Sequence, residues 1–389
     1  MRPDVAMPIE LGEILGQGGE ARVYALKSDP SMVVKLYHQP TPAHGEKLAI
    51  MIEHPPAHVS TNGQTVVAWP TRRIFAQPAT GLVTGFLMPR VASGVPAAHL
   101  HNMKSRLASH PHFNWRYLLR AAMNLALTVQ KVHDGGYVIG DVNDQGVLVT
   151  GNAVVALVDC DSFQVCDPAT DRMFRCTVGT SLFTPPELAG CSFANVDRTP
   201  THDLFGLAVL IYEFLMGCHP FQVKTTAVES TEDAASIEDC IKRGLYPDLA
   251  PAVAQSPIAP PLYVLPRSAR ALFRAAFGAV QSHRPTAARW ADELWGMDRE
   301  LKSCARNTNH FFGGHLSSCP WCERTVVLGG RDPFPSPDAI RRGEHRLRPE
   351  TSSSRRWVRR PPRPRGVILG PPLSSHSNYV ARFQQRRRS

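Results

Sequence analysis

The chain has 389 residues, of which 43% are apolar and 20% charged, and its formal net charge is +10. This length allows two or three domains, and the apolar fraction supports a sizeable core, which excludes a wholly disordered chain. The charge is uneven, because residues 331–389 contain 15 Arg and 4 acidic residues while residues 1–330 sum to −1. The basic balance therefore characterises the last segment alone.

The sequence also indicates a compartment. No segment reaches the roughly 18 consecutive apolar residues of a membrane-spanning helix, and the opening MRPDVAMPIELGE has no secretory pattern. The nine cysteines are scattered and odd in number, unlike a compact disulfide framework. We therefore expect a cytoplasmic protein.

Short β-like runs in the first part of the chain precede longer helical patterns. The clearest predicted strands are Val33–Tyr37, Thr65–Trp69, Leu82–Met88, Val147–Val149 and Val154–Val158. Apolar residues at intervals of three and four predict an amphipathic helix over 114–133. The nearly uniform apolar run 204–216 predicts a buried helix. The pattern predicts an α+β fold with a small strand-rich part and a larger helical part.

A glycine-rich turn and a strand lysine are the first candidates for phosphate binding. In LGQGGEARVY, Gly16, Gly18 and Gly19 lie between two predicted strands, where backbone N–H groups could approach a polyphosphate. Such hairpins are common, so the turn alone is equally consistent with a structural role. Lys35 lies among apolar neighbours in VVKLY, where its charge needs a partner or a solvated face.

Two carboxylates flank a later predicted hairpin. In YVIGDVNDQGVLVTGNAVVALVDCDSF, Asp141 precedes the first strand and Asp159 ends the second. This places both near one end of the hairpin, where one could orient a hydroxyl nucleophile and the other could hold Mg²⁺ on phosphate.

The order of glycine loop, strand lysine, Asp141 and Asp159 resembles the eukaryotic-type protein kinase family. The resemblance continues through VGTSLFTPPEL, through HDLFGLAVLIYEFLMGCHPF with its structural Asp203, and through HRPTAARW. It implies a bilobal kinase-like fold, with an N-lobe at 1–90 and a C-lobe at 91–298. It also implies that Arg284 pairs with Glu187.

Three short motifs are similar to bacterial kinases of the tellurium-resistance-associated and helix-hairpin-helix-linked group. They are GDVN at 140–143, DCDSF at 159–163 and CPWC at 319–322. This closer resemblance implies a role in bacterial signalling or stress response. It also implies a von Willebrand A protein and a PP2C-type phosphatase as partners.

The family resemblance implies a role for individual residues. Lys35 would contact the α- and β-phosphates and be held by an acid of the following helix, for which Glu46 is the first choice and Glu53 the reserve. Asp141 would receive or orient the substrate hydroxyl proton, and Asp159 would bind Mg²⁺. The adenine would lie along Phe86–Arg90. The residues expected to contact the nucleotide are Gly16, Gly18, Gly19, Ala21, Val23, Lys35, Glu46, Met88, Asp159 and Asp161.

Three positions depart from the family pattern. Ala21 replaces the third glycine of the loop, Asp161 replaces the glycine after the metal aspartate, and Gly146 replaces the asparagine that binds a second metal. Either Asp161 or Asn143 supplies the lost oxygen and ATP-dependent transfer to Ser or Thr of a protein survives, or the chain is a nucleotide-binding pseudokinase scaffold. Thr177, Thr180 and Ser181 are candidate autophosphorylation sites or ordinary loop residues.

Residues 299–330 contain a candidate zinc-binding element. The two-residue gap between Cys319 and Cys322 lets both thiolates reach one tetrahedral ion, which Cys304 could help to complete. For the fourth ligand, proximity favours His315 over His310. A redox pair or free thiols remain the alternative.

The segment 331–389 is rich in Arg, Pro and Ser, which predicts a disordered tail. Its arginines could follow nucleic-acid phosphates while Trp357 stacks on a base. The alternatives are a nucleic-acid-associated protein and a solvated extension that binds acidic partners weakly.

Overall fold

The computed structural model of the chain describes residues 9–76, 81–225 and 235–346. Among these residues, no helix combines the length and the apolar character needed to cross a membrane. The strands are β1 (Leu11–Gln17), β2 (Ala21–Leu26), β3 (Met32–Tyr37), β4 (Ser60–Thr61), β5 (Gln64–Thr65), β6 (Arg72–Phe75), β7 (Val83–Pro89), β8 (Val95–Pro96), β9 (Val147–Val149), β10 (Val155–Leu157), β11 (Val165–Cys166), β12 (Met173–Phe174), β13 (Val223–Thr225), β14 (Val253–Gln255), β15 (Leu301–Ser303) and β16 (Phe311–Gly313). The helices are α1 (Pro42–Glu53), α2 (Ala97–His101), α3 (Met103–Ser109), α4 (Trp115–Asp134), α5 (Pro200–Met216), α6 (Ile237–Lys242), α7 (Arg267–Phe277), α8 (Ala287–Arg299), α9 (Pro320–Val327) and α10 (Pro337–Arg341).

The N-terminal part is a five-stranded antiparallel sheet in the order β1-β2-β3-β7-β6. Helix α1 begins at Pro42, where the Thr41 side chain accepts a hydrogen bond from the His44 N–H. Leu48 and Met51 are its fully buried side chains, and Leu48 packs into the core beneath the sheet. This small sheet with one helix is the strand-rich part that the sequence predicts.

The larger part is helical and is built around α4 and α5. Ten residues of α4 are buried along one stripe, as the amphipathic pattern predicts. Helix α5 is buried from Asp203 to its end at Met216, as the uniform apolar run predicts. The backbone of the loop 139–146, which carries Asp141, crosses α5 at Gly206, where an added Cβ would lie 2.9 Å from the Val142 carbonyl oxygen. Glycine is therefore required at this crossing.

One predicted strand is largely absent. The sequence predicts a strand over 65–69, but only Thr65 belongs to one, in β5. The following residues are buried and bond to the β10 end instead: Ala68 N–H donates to the Leu157 carbonyl and Leu157 N–H donates to the Val66 carbonyl. Their apolar character therefore reflects burial between the two parts rather than a ladder.

The Cys/His element is a hairpin of β15 and β16 followed by α9. It packs on α4 through Trp115 and Trp321, whose ring centroids are 5.6 Å apart. The predicted start of disorder at 331 is wrong, because the next residues are folded: Phe334 is buried against Trp321, and α10 follows. Phe334 contacts the Trp321 ring and the Arg106 guanidinium, and Ser336 caps α10. These contacts order a segment whose polar composition predicts disorder. The predicted tail beyond 346 lies outside the described residues.

Candidate active site

The loop that carries Asp141 is fixed from below by Asp203, the first acidic residue of α5. The fully buried Asp203 carboxylate accepts hydrogen bonds from the N–H groups of Ile139 and Gly140, both at 2.7 Å, and contacts His133 Nε2 at 2.9 Å. The charge is thus satisfied by backbone donors, as burial requires. This arrangement presents Asp141 at the open side of the loop.

Asp141 is tied to the segment that resembles an activation segment. Its Oδ1 accepts the Thr180 N–H at 2.9 Å, and its Oδ2 lies 3.4 Å from the Thr180 hydroxyl. Arg198, which is 3% exposed, reinforces the junction by donating to the carbonyls of Gly140 and Val178. The sequence analysis did not identify Arg198, because no local motif marks it.

Asn143 holds the loop's own backbone. Its Oδ1 accepts the N–H groups of Gln145 and Gly146, both at 2.9 Å, and its Nδ2 donates to the Asp141 carbonyl at 3.1 Å. A Cβ on Gly146 would lie 3.7 Å from Asn143 Oδ1, an ordinary contact distance. The Asn143 amide therefore lies beside the position of the missing side chain, with its oxygen already engaged by two donors.

Lys35 lies at the centre of the site. Its Nζ is 3.0 Å from Asp159 Oδ1 and 2.6 Å from Asp161 Oδ1. Burial lowers the pKa of this amine, but attraction by Asp161 and then Asp159 outweighs burial and raises it. Lys35 is consequently a fixed cation facing the loop that carries both carboxylates.

The acid predicted on the following helix is not at Lys35. Glu46 faces outward and pairs with Arg172 at 2.5 Å, with about half of each side chain exposed, and Glu53 is exposed at the helix end. Helical phase places Lys47 inward instead, where its Nζ donates to the Asp161 carbonyl at 2.6 Å. The predicted Lys35–Glu46 pair is therefore wrong for this structure, and the inward residue of α1 at this point is Lys47, which no family motif marks.

Asp159 and Asp161 have opposite environments. The Asp159 side chain is 61% exposed and its backbone is left-handed at φ 57°, whereas the Asp161 side chain is 6% exposed and also accepts the Tyr37 hydroxyl at 3.1 Å. An open carboxylate beside the Asp141 loop is the kind of oxygen that Mg²⁺ binds. Asp159 fits a metal ligand, whereas the Asp161 carboxylate is occupied by Lys35 and Tyr37.

The glycine turn and the apolar wall complete the cleft. Gly16 and Gly19 would meet nothing within 4 Å if a Cβ were added, so this turn is open, and the Gly18 N–H donates to the Ala21 carbonyl. Val23 lies opposite Lys35 across β2 and β3, and Met88 lies opposite Val33 across β3 and β7. The open turn, Val23 and Met88 thus flank Lys35, as expected for a nucleotide-binding cleft.

The late arginine is where its motif predicts. Arg284 donates to both carboxylate oxygens of Glu187, at 2.5 and 2.9 Å, and its side chain is 1% exposed. Burial opposes ionisation of Glu187, but the bonds from Arg284 lower its pKa below the ordinary value. This pair fixes the end of the activation segment to the helical part.

A second cluster lies in the C-terminal element. Cys304, His310, Cys319 and Cys322 place one ligand atom each within 4.8 Å of the others. Cys304 Sγ is 3.6 Å from Cys322 Sγ, and His310 Nδ1 is 3.5 Å from Cys319 Sγ. These spacings match the edge of about 3.7 Å of a tetrahedron with Zn–S bonds near 2.3 Å. The donor set therefore fits zinc.

His315 does not belong to this cluster. Its Nε2 contacts the Tyr263 carbonyl at 3.0 Å and the residue is exposed. The β15–β16 register pairs Ser303 with Phe311, so Cys304 adjoins His310, whose N–H and carbonyl lie at the same hairpin end. The choice of His315 is therefore wrong, and His310 replaces it. Asp332 holds the other His310 nitrogen at 2.8 Å.

The fold and this site define a protein kinase: the family model for the protein kinase domain matches residues 9–295, and the chain belongs to that family. It is 37% identical over 330 residues to the protein kinase YegI of Escherichia coli (strain K12), covering 80% of this chain and 48% of YegI. The serine/threonine-protein kinase PknA of Mycobacterium tuberculosis is 25% identical over 138 residues, 36% of this chain and 30% of PknA. The chain thus spans about half the length of YegI.

Proposed function

We propose that this protein transfers phosphate from ATP to Ser or Thr of a protein substrate in bacterial signalling or stress response. The observation that supports this most is that Lys35 contacts Asp159 and that the residue before Asp159 is bonded to the loop of Asp141, since the Val158 N–H donates to the Gly146 carbonyl at 2.9 Å. Lys35 lies 3.0 Å from Asp159, and Asp141 is bonded to Thr180 of the adjoining segment. Each is the residue type that phosphoryl transfer requires at its position.

The three groups divide the work. Lys35 would bind the α- and β-phosphates, Asp159 would hold Mg²⁺, and Asp141 would orient the substrate hydroxyl and receive its proton. Mg²⁺, when bound, neutralises phosphate charge. The oxygens of Asn143 and Asp161 are engaged by other groups, so the proposal rests on Asp159 alone as the metal ligand, while Asn143 supports the site by fixing the loop that carries Asp141.

The test is phosphotransfer from labelled ATP to a generic protein acceptor and to the chain itself. Lys35→Met and Asp159→Asn should reduce transfer by about 100-fold or more, because each removes charge stabilisation. Phosphoamino-acid analysis should find label on Ser or Thr. Equal incorporation of label by the wild type and both variants would contradict the proposed enzyme activity.

A nucleotide-binding scaffold is the second candidate, and Gly146 favours it, because this position offers no side chain to a second metal. ATP binding without phosphotransfer by the wild type would support the scaffold. Gly146→Asn then provides a direct test, since the structure has room for a Cβ there. If Gly146→Asn transfers phosphate and the wild type does not, the wild type is inactive because it lacks a side chain for the second metal at position 146.

We further propose that Cys304, His310, Cys319 and Cys322 bind one structural Zn²⁺. The ligand spacing supports this, and so does Asp332, which would orient His310. Purified protein should contain about one equivalent of zinc. His310→Ala should lower this content whereas the matched His315→Ala should not, and equal content in both variants would overturn the ligand set.

The finer associations rest on resemblance alone. We propose a cytoplasmic kinase of the tellurium-resistance-associated group, acting with a von Willebrand A protein and a PP2C-type phosphatase. Incubating the autophosphorylated protein with such a phosphatase would test the latter partnership. Retention of all label would contradict it. The nucleic-acid alternative concerns the basic tail, whose residues beyond 346 lie outside the described residues.

A further inference from the structure

The carboxylate nearest to Lys35 comes from the metal loop and is buried. Asp161 Oδ1 is 2.6 Å from Lys35 Nζ, while the more exposed Asp159 is 3.0 Å away. The second oxygen of Asp161 accepts the Tyr37 hydroxyl at 3.1 Å. Lys35 and Tyr37 are two residues apart on β3, so their side chains lie on the same face of the sheet. The Asp161 carboxylate therefore bridges two positions of this strand.

Helix α1 supplies no acid at this point. Its two acidic residues are Glu46, paired with Arg172, and Glu53, exposed at the helix end. The side chain that reaches inward is Lys47, whose ammonium donates to the Asp161 carbonyl at 2.6 Å. An ammonium cannot hold another ammonium, so α1 contacts the loop that holds Lys35 rather than Lys35 itself.

We propose that Asp161 is the positioning residue for Lys35, and that the lysine–acid pair which kinases ordinarily form with the helix is formed here with the metal loop. This deepens the proposed function, on which it rests. A glycine at 161 would leave Lys35 with Asp159 alone, and Asp159 is needed for the metal. The buried carboxylate thus lets Lys35 remain oriented while Asp159 is free to bind Mg²⁺.

Two variants separate this arrangement from the ordinary one. Asp161→Asn keeps the shape but removes the charge, and misplacement of Lys35 should lower kcat by about 100-fold with a smaller change in KM for ATP. Glu46→Gln removes the acid that the ordinary arrangement would use, and transfer should stay within about 2-fold of wild type. A large loss in Glu46→Gln with activity retained in Asp161→Asn would overturn the proposal.

A readout independent of transfer follows the lysine itself. Affinity for ATP without Mg²⁺ and labelling of Lys35 by an amine-reactive adenosine probe, located by mass spectrometry, should both change in Asp161→Asn and stay unchanged in Glu46→Gln. If wild-type transfer is absent but these readouts respond as stated, the proposed function fails while the positioning role stands. Unchanged labelling in Asp161→Asn contradicts the role.

The decisive variant moves the acid back to the helix. Lys47 Nζ reaches the backbone carbonyl of Asp161, so Lys47→Glu combined with Asp161→Gly tests whether a carboxylate on α1 can replace the one that contacts Lys35. We expect the double variant to recover at least about 10-fold of the activity lost in Asp161→Gly. Circular dichroism and thermal melting show that each variant is folded. A folded double variant no better than Asp161→Gly would count against the exchange.

Discussion

The buried guanidinium of Arg284 satisfies both oxygens of Glu187, and the Glu187 side chain is 18% exposed. Removing one partner of such a pair destabilises the fold, because the charge of the other partner stays buried without compensation. Arg284→Ala should therefore lower the free energy of unfolding by about 3–5 kcal/mol. Urea unfolding measures this loss. Arg284→Lys should recover only part of it, because Lys cannot form the two parallel bonds.

Glu213 gives a residue-level prediction for pH. It is buried in α5, where His101 Nε2 lies 3.6 Å from the Glu213 carboxylate and 3.2 Å from the Asp144 carboxylate, and burial raises the pKa of Glu213 to about 7. Between about pH 4.5 and 7, Glu213 therefore keeps its proton in the folded protein but loses it in the unfolded chain. The free energy of unfolding consequently decreases as the pH rises through this range.

Comparing the wild type with Glu213→Gln tests this group together with His101, because burial lowers the pKa of His101 while the bond to Asp144 and the charge of Glu213 raise it. The stability of the wild type relative to the variant should fall by about 1–3 kcal/mol between pH 4.5 and 7.5. Thermal or urea unfolding at several pH values measures the difference. A difference independent of pH would show that Glu213 keeps its ordinary pKa when folded.

At the residue scale, the sequence predicted those roles that one residue type performs within an ordered motif. The ordered motifs predict roles for Lys35, Asp141, Asp159 and the Arg284–Glu187 pair, and the structure brings Lys35 to 3.0 Å from Asp159 and bonds Arg284 to Glu187. Asp161 was recognised as an added carboxylate. Its partner was not, because burial and distance decide which of two neighbouring acids contacts Lys35.

At the scale of elements, α5 both supports and spaces the catalytic loop. Asp203 binds two backbone N–H groups of that loop, and one turn further Gly206 lets the loop approach the helix closely. The packing of α5 therefore fixes the position of the loop that carries Asp141.

Gly206→Ala tests this spacing. The new Cβ would lie 2.9 Å from the Val142 carbonyl oxygen, so the loop must shift, and stability should fall by about 1–3 kcal/mol although Ala favours helix. Phosphotransfer should fall more than nucleotide affinity, since Asp141 is displaced from the hydroxyl. Gly296→Ala in α8, which meets nothing within 4 Å, is the matched control.

The errors at this scale concern phase and register. A shift of one residue along α1 exchanges Glu46 for Lys47 at the site, and composition does not reveal which faces inward. The β15–β16 register selects His310 over His315, although the latter is closer in sequence to Cys319. The family resemblance implies the helix, whereas the hairpin and the contacts that both elements present depend on packing.

At the scale of the whole molecule, the Cys/His element is bound to the kinase domain. Trp321 contacts Trp115 of α4, and Asn309 Oδ1 accepts from the Asn114 side chain, which also caps that helix. The element is short and gains little from its own core, so the metal would provide much of its stability.

Removing the proposed zinc should therefore affect the kinase domain as well. A zinc chelator should lower the melting temperature by several degrees, since roughly 2–4 °C corresponds to each kcal/mol in a domain of this size. The temperature at which nucleotide binding is lost should decrease together with the melting temperature. An unchanged melting temperature after verified zinc loss would contradict the coupling. Where the zinc is removed by substituting a cysteine of the cluster, Cys191→Ser, outside the cluster, is the control for the loss of a thiol.

The folded segment 331–346 determines where the basic tail can be removed. Arg106 is 2% exposed and donates to the Pro333 carbonyl, and its guanidinium lies over the Phe334 ring. A deletion that starts at 331 would strip this arginine of both neighbours and uncover Trp321. Such a shortened protein would lose stability for reasons unrelated to arginine charge. A chain ending after Arg346 retains these contacts and is the appropriate form for measuring what the remaining arginines contribute to binding.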